Sequence, residues 1–393
     1  MIKSPISQIG SPVFSALPTT IFEVMSSLAR DHRAVNLGQG FPDSEGPEDV
    51  REAAARALMS GPNQYPPMLG LPVLREAVAA HYERHQGLAL SPDQVIITAG
   101  ATEALAAAFL ALVAPGDEVA MFQPVYDAYA PMVRRAGGVA RLVRLDPPDW
   151  RLTQAALDAA FGPKTKLVVL NNPLNPGAVV YDAEQLGCLA EACVRHDVIA
   201  ICDEVWEHVV FDGVRHIPLM ALPGMSERTV KIGSAGKIFS LTGWKVGWTI
   251  SSPALAALLA KAHQFLTFTV APATQAAIAY GLGKKMAYFE TMRAEFARGR
   301  DRLMAGLEAV GFIVAPSQGT YFLNIDLAAS GLALDDMTFC LRAVKEFGVA
   351  AIPISAFYEQ DAPTNMVRLC FSKRDETLDA GVERLAKARA AMG

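Results

Sequence analysis

From residue 94 to residue 251 the chain alternates short β-rich runs with helical ones, and this alternation sharply limits the folds open to it. Residues 94–98 read as a strand and 102–113 as a helix. Residues 118–122 and 166–170 read as strands, and 183–196 as a helix. Strands follow at 198–202, 229–232 and 244–251. Strands that are apolar along their whole length must be covered on both faces, and the helices between them supply the two covers. The pattern therefore predicts an α/β fold around a mostly parallel sheet. In such a sheet, ligand-binding loops gather at the carboxyl ends of the strands.

After about residue 280 the pattern changes. A long charged amphipathic stretch (287–310) leads to a strand-like run (319–326) and a helix-like one (334–347). Strands near 349–354 and 366–371 and a terminal helix complete a smaller α+β unit. A chain of 393 residues exceeds one compact core and suggests two domains. The expected division is an N-terminal segment, 1–47, packed with the small domain, a large domain, 48–285, and a small C-terminal domain, 286–393. With 51% hydrophobic and 19% charged residues, the chain can bury a large interior. It shows no internal repeat and no low-complexity tract.

The net charge of −5 comes without a long basic run, which argues against nucleic acid or an anionic membrane as a partner. Residues 1–5 lack the basic-then-apolar pattern of a secretory signal. The apolar run 104–114 is too short to span a bilayer. Five cysteines form no Cys-x-x-Cys pair, as expected of reduced, buried thiols. These readings predict a cytoplasmic protein.

The loops carry the chemistry. Lys237, in Ser234-Ala-Gly-Lys237, sits between small residues just after a strand. A lysine held in a pocket there loses its proton more readily than a surface lysine, as an amine must in order to condense with an aldehyde. Lys245 is flanked by Gly243 and Gly247, which let the backbone approach a ligand closely. An amine, the Ser234 hydroxyl and a second cation suit an aldehyde that carries a phosphate, pyridoxal 5′-phosphate. Taken alone, the same stretch also reads as a strand and loop with surface lysines.

Four further sites fall on loops or strand ends. In Thr98-Ala-Gly-Ala-Thr-Glu103, residues Gly100, Ala101 and Thr102 offer N–H groups and a hydroxyl to an anion at a helix N-terminus. A plain strand–helix turn is the other reading. Asn171-Asn-Pro-Leu-Asn-Pro176 is a stiff loop, or only a turn, that sets amides at the sheet's edge. Asp203 ends a very apolar strand, where a carboxylate is costly unless paired. A pyridinium nitrogen would suit it, and so would a helix cap or structural ion pair. Arg368, on an otherwise apolar strand, suggests a fixed two-pronged carboxylate partner, or an edge-strand arginine at the surface.

These motifs, in this order, resemble the class I/II aminotransferases of the fold-type I pyridoxal-phosphate superfamily. Asn36-Leu-Gly-Gln-Gly-Phe-Pro-Asp43, Asn63-Gln-Tyr65, Asp203-Glu-Val205, Ser234-Ala-Gly-Lys237 and Thr242-Gly-Trp-Lys-Val-Gly247 look most like the branch of methionine aminotransferase and kynurenine aminotransferase/glutamine transaminase. The resemblance runs nearly end to end. It implies that Lys237 condenses with the cofactor, Asp203 pairs with the pyridine nitrogen, and Asn175 bonds the ring 3-oxygen. Tyr126 would stack on the ring. Gly100, Ala101, Thr102, Ser234 and Lys245 would hold the phosphate, joined by Tyr65 from the neighbouring subunit of a homodimer. Arg368, the Gly40 backbone and Asn175 would hold the substrate's α-carboxylate. Phe22, Phe268 and Phe357 match positions near its side chain. Trp206 departs from the family, which places a tyrosine three residues after the aspartate. Indole donates a hydrogen bond but cannot accept one.

Two patterns point elsewhere. His81 and His85 lie one helical turn apart but lack the glutamate of a zinc-protease motif, and are expected on an exposed helix face. Gly38-Gln-Gly40 lacks the strand-before-helix setting of a dinucleotide loop. No metal is expected.

The expected protein is a homodimeric, pyridoxal-phosphate-dependent aminotransferase acting on an L-amino acid, of methionine, glutamine or aromatic type, and a 2-oxo acid. A cysteine-conjugate β-lyase, an aminotransferase for a dicarboxylic biosynthetic substrate, and a catalytically silent ligand-binding module are the alternatives.

Overall fold

The structure, a computed structural model, describes residues 10–393, so residues 1–5 and their sorting reading lie outside it. A short strand, β1 (Val35–Asn36), precedes seven strands that form one sheet. They are β2 (Val95–Thr98), β3 (Glu118–Gln123), β4 (Val139–Arg144), β5 (Thr165–Asn171), β6 (Ile199–Asp203), β7 (Thr229–Ser234) and β8 (Gly247–Ile250). Their order is β2-β8-β7-β6-β5-β3-β4. Neighbours from β7 through β4 are parallel, whereas β8 is antiparallel to both β2 and β7. This is the mostly parallel α/β sheet expected.

The differences from expectation have physical causes. β4 carries Arg141 and Arg144 and buries only Val143, so it lacks the apolar run that marks an inner strand. An edge strand covered on one side does not need that run. β8 is shorter than 244–251 because Lys245 takes a left-handed conformation (φ 53°) and breaks the strand there. His81 is fully buried rather than exposed. The helix Pro72–Gln86 also buries Leu74, Val78 and Tyr82, and His81 packs on His208 and Phe289 with ring centres 4.8 and 5.4 Å away.

Helices cover the sheet and are closed by their own sequence signals. Asp182 accepts from the Gln185 N–H to start the helix Ala183–His196, and Asp197 ends it in a left-handed cap. The helices Gly100–Leu112 and Pro253–Leu266 pack against each other beside the sheet.

The C-terminal part contributes β9 (Ile313–Val314), β10 (Phe322–Asp326), β11 (Val349–Ala350), β12 (Ile352–Pro353) and β13 (Met366–Cys370). Four of them form the antiparallel sheet β12-β13-β10-β9, flanked by helices Met286–Ala309, Asp336–Phe347 and Asp375–Met392. β1 pairs in parallel with β11, which ties the N-terminal segment to this layer. No helix among the described residues is long and apolar enough to cross a membrane.

Candidate active site

Strand register brings the site together. Asn171 lies beside Asp203 at the carboxyl ends of β5 and β6, and Ser234 ends β7 next to them. Except for Tyr65, every residue expected at the cofactor lines one cavity of about 200 Å3: Gly100, Ala101, Thr102, Tyr126, Asn175, Asp203, Trp206, Ser234, Lys237 and Lys245.

One end of the cavity is built for an anion. The helix Gly100–Leu112 begins there, and its first N–H groups have no partner within the helix. Gly100 has φ +75°, and a Cβ on it would lie 3.1 Å from Lys245 Cε and Nζ. A Cβ on Gly247 would come within 2.7 Å of the Gly100 carbonyl carbon. Both glycines are needed for this close approach of chain to chain. A helix N-terminus facing an ammonium group suits a phosphate.

The cavity wall also carries a buried carboxylate. Tyr129 donates to Asp203 Oδ2 at 2.6 Å, and the Val205 N–H reaches Oδ1 at 3.4 Å. Among the described residues Asp203 makes no ion pair, and burial pushes its pKa up. A buried anion held only by neutral donors can accept a cationic ring N–H. Tyr126 stands over the same cavity, 5.7 Å from Tyr129 between ring centres, with its pKa pushed up to about 12 by burial.

Lys237 sits on a single helical turn, Ala235–Ile238, directly after β7. Burial brings its pKa down to about 8, so an appreciable part of the amine is neutral near physiological pH. Its Nζ donates to the Tyr321 hydroxyl at 3.2 Å, and that hydroxyl donates to the Gly40 carbonyl at 2.5 Å. The Trp206 ring centre is 4.6 Å from Nζ, and Trp206 meets Tyr321 edge to face at 4.3 Å. Trp206 therefore faces both the cavity and the lysine.

Arg368, on β13, is 1% exposed, and no carboxylate pairs with it among the described residues. It donates to Asn175 Oδ1 at 2.8 Å and to the Gly38 carbonyl at 3.0 Å, while its Nε has no partner. Phe322, Phe22 and Phe357 surround the guanidinium at 3.9, 5.3 and 5.2 Å from their ring centres. Burial lowers its pKa to about 10. A buried cation with a free donor and no anion is suited to an incoming carboxylate. Arg368→Lys is expected to raise the KM for the amino acid about 10- to 100-fold and to spare cofactor retention. The basis is the loss of one charged hydrogen bond, about 1.5–3 kcal/mol. Unchanged substrate saturation would refute the assignment.

Tyr65 and Phe268 do not reach this cavity. They are 84% and 42% exposed and touch each other edge to face at 5.7 Å. Sequence reasoning missed Tyr129, Tyr321 and Phe322. Tyr129 had a signal, a second tyrosine three residues after Tyr126. Tyr321 and Phe322 had none, because their partners lie far away along the chain.

A second polar cluster lies at β7 and the segment after β6. Lys231 pairs with both Glu204 and Glu207, and His216 lies 3.1 Å from Glu204. Glu204, Glu207 and His216 have metal-ligand spacing, but the Lys231 ammonium group binds both carboxylates. Burial pushes Glu204 up, yet Lys231 and His216 outweigh it and hold its pKa at about 2.

The chain belongs to the aminotransferase class I and II family, whose pattern it matches over residues 32–385. It is an aminotransferase with the fold-type I architecture, and enzymes of this family depend on pyridoxal 5′-phosphate. It is 44% identical over 381 residues to a probable N-succinyldiaminopimelate aminotransferase of Mycobacterium tuberculosis, covering 94% of this chain and 96% of that one. A solved N-succinyldiaminopimelate aminotransferase from that organism superposes with TM-score 0.93 at 43% identity, covering 97% and 100% of the two chains. The methionine aminotransferase of Escherichia coli is 42% identical over 370 residues, covering 94% and 96%. A solved Escherichia coli methionine aminotransferase has TM-score 0.93 at 41% identity, covering 96% and 99%. A mouse kynurenine–oxoglutarate transaminase is 36% identical over 397 residues, covering 93% and 87%. The cavity fits the cofactor, with an unpaired buried carboxylate on one wall, a buried amine on another and an anion cradle at one end.

Proposed function

We propose that this enzyme moves the amino group of an L-amino acid with an uncharged side chain, of methionine, glutamine or aromatic type, to a 2-oxo acid. One observation carries the choice. Phenylalanine rings surround Arg368, and among the described residues Lys237 and Lys245 are the only cations lining the cavity. Lys237 is taken by the chemistry and Lys245 by the phosphate, so a second substrate carboxylate finds no cation of its own there.

Bound pyridoxal phosphate supplies an aldehyde that captures the amino group and a ring that absorbs the electron pair left at the substrate's Cα. The rest of the work falls to the chain. The Lys237 amine would take the proton from Cα and deliver it to the former aldehyde carbon, on the other side of the amino nitrogen, as a base and then an acid with a pKa near working pH. Asp203 stays ionised by holding a proton on the ring nitrogen, helped by the Tyr129 hydroxyl. Lys245, Ser234 and the N–H groups of Gly100, Ala101 and Thr102 hold the phosphate. Asn175 and Trp206 bond or border the ring oxygen, and Tyr126 packs on the ring. Arg368, Asn175 and the Gly40 backbone orient the α-carboxylate, with Phe22 and Phe357 beside the side chain.

The exposed Tyr65 and Phe268 would complete the site of a second copy in a cytoplasmic homodimer, in which an isologous contact finishes both sites at once. We also keep the division into 48–285 as the large domain and 286–393, with 1–47, as the small one.

A second reading, a dicarboxylic biosynthetic substrate, is favoured by similarity to the mycobacterial enzyme. A panel of amino acids, each mixed with the holoenzyme while the cofactor's absorbance is followed, separates the two. Methionine, glutamine and phenylalanine are expected to react with kcat/KM at least about tenfold above glutamate, aspartate and N-succinyldiaminopimelate. The reverse order would select the second reading.

A further inference from the structure

Glu103, in the first turn of the helix Gly100–Leu112, is a buried carboxylate with no part in the transamination chemistry. Its Oε2 accepts from the Ala99 N–H at 2.7 Å and so closes the turn that shapes the phosphate cradle. Its Oε1 lies 2.7 Å from Nδ1 of His263, on the helix Pro253–Leu266. Nε2 of the same ring lies 2.9 Å from the Met68 carbonyl. His263 is fully buried. A carboxylate and a main-chain carbonyl only accept, so both ring nitrogens donate and the ring is an imidazolium. Burial opposes that charge, but the Glu103 hydrogen bond and charge outweigh it, and the His263 pKa lies above the ordinary value.

The same residue governs the two outward aromatics. Met68 follows Tyr65 by three positions, in a turn closed by the Gly70 N–H donating to the Pro67 carbonyl at 2.8 Å. The His263 carbonyl accepts from the Thr267 and Phe268 N–H groups at 3.3 and 3.2 Å. These bonds end the helix and hold Phe268 in its left-handed conformation (φ 64°). His263 thus links a subunit's own phosphate cradle to the outward aromatic pair, its ring reaching Met68 on the Tyr65 side and its main-chain carbonyl holding Phe268.

We propose that Glu103 and His263 form a positioning clasp. One arm sets the phosphate cradle of its own subunit, and the other sets the Tyr65–Phe268 pair presented to the neighbouring subunit. The proposal rests on the assignment of Tyr65 and Phe268 to the partner's site.

Two substitutions separate the arms. Asparagine carries its amide where Nδ1 stands, and glutamine where Nε2 stands. His263→Asn therefore keeps the Glu103 arm and loses the Met68 arm, and His263→Gln does the reverse. Hybrid dimers that pair a subunit having Lys237 with a Lys237→Ala subunit contain one site at which borohydride can fix the cofactor to Lys237. Loss of fixable cofactor after dilution of the holoenzyme then reports on that site alone. On the subunit that has Lys237, His263→Gln is expected to speed the loss about tenfold more than His263→Asn does. On the opposite subunit, His263→Asn is expected to speed it about tenfold more than His263→Gln does, about 1.4 kcal/mol in each case.

Tyr65→Ala on the Lys237→Ala subunit is the control. If it speeds the loss and His263→Asn does not, the clasp is overturned while the partner assignment stands. If Tyr65→Ala has no effect from the opposite subunit, the partner assignment fails and takes the second arm with it. If both His263 variants act equally from either subunit, in step with a lowered Tm, the pair only supports the fold and the proposal is wrong.

Discussion

Lys237→Ala is expected to keep the fold and lose at least about 10⁴-fold in turnover. In the proposed reaction the same amine both condenses with the cofactor and moves the proton, and acid–base catalysis alone is worth roughly 10²–10⁴-fold. Its neighbours cannot stand in for it. Burial pushes the Tyr321 hydroxyl well above its usual pKa, so it does not ionise to act as a base. Trp206 offers only an N–H. Borohydride reduction of the holoenzyme followed by peptide mapping should find the cofactor on Lys237. A label on any other lysine would sink the assignment.

The next largest loss is expected from Asp203→Asn, about 10²–10³-fold in kcat/KM. Asparagine keeps an oxygen to accept from Tyr129, so the strand end should stay folded, as circular dichroism can check. What disappears is the charge proposed to face the ring N–H. Removing one partner of such a buried pair leaves the other uncompensated, at roughly 3–4 kcal/mol. The carboxylate is buried, raised in pKa and held by neutral donors, and no other acidic group among the described residues lines the cavity to replace it. Near-wild-type rates in this variant would mean that Asp203 does not meet the ring.

Much of this architecture was legible because it is local. Apolar runs at β3, β5, β6 and β7 marked the inner strands of a parallel sheet, the small residues around Lys237 marked a pocket for the amine, and the glycines flanking Lys245 marked a place where the chain can come close to a ligand. β4 was not legible, because an edge strand with arginines on it has no such run. His81 was misread for a related reason. Its burial depends on His208 and Phe289, which arrive from distant parts of the chain. Arg368 was legible as a cation suited to a carboxylate, but the amide, carbonyl and phenylalanine rings around it were not, because they arrive from other parts of the chain.

By itself, the order of residues determined the helix caps at Asp182 and Asp197, the left-handed glycine at 100 and the alternation that closes into a parallel sheet. These depend on backbone preference and on which faces must be buried, and both are settled within a few residues. Only the tertiary structure decided that Tyr129 would hold Asp203, that Tyr321 would receive Lys237, and that His263 would bridge Glu103 and Met68. Those contacts join residues 74, 84, 160 and 195 positions apart. A hydrogen bond exists only where packing brings donor and acceptor within about 3 Å, and no local preference encodes that distance.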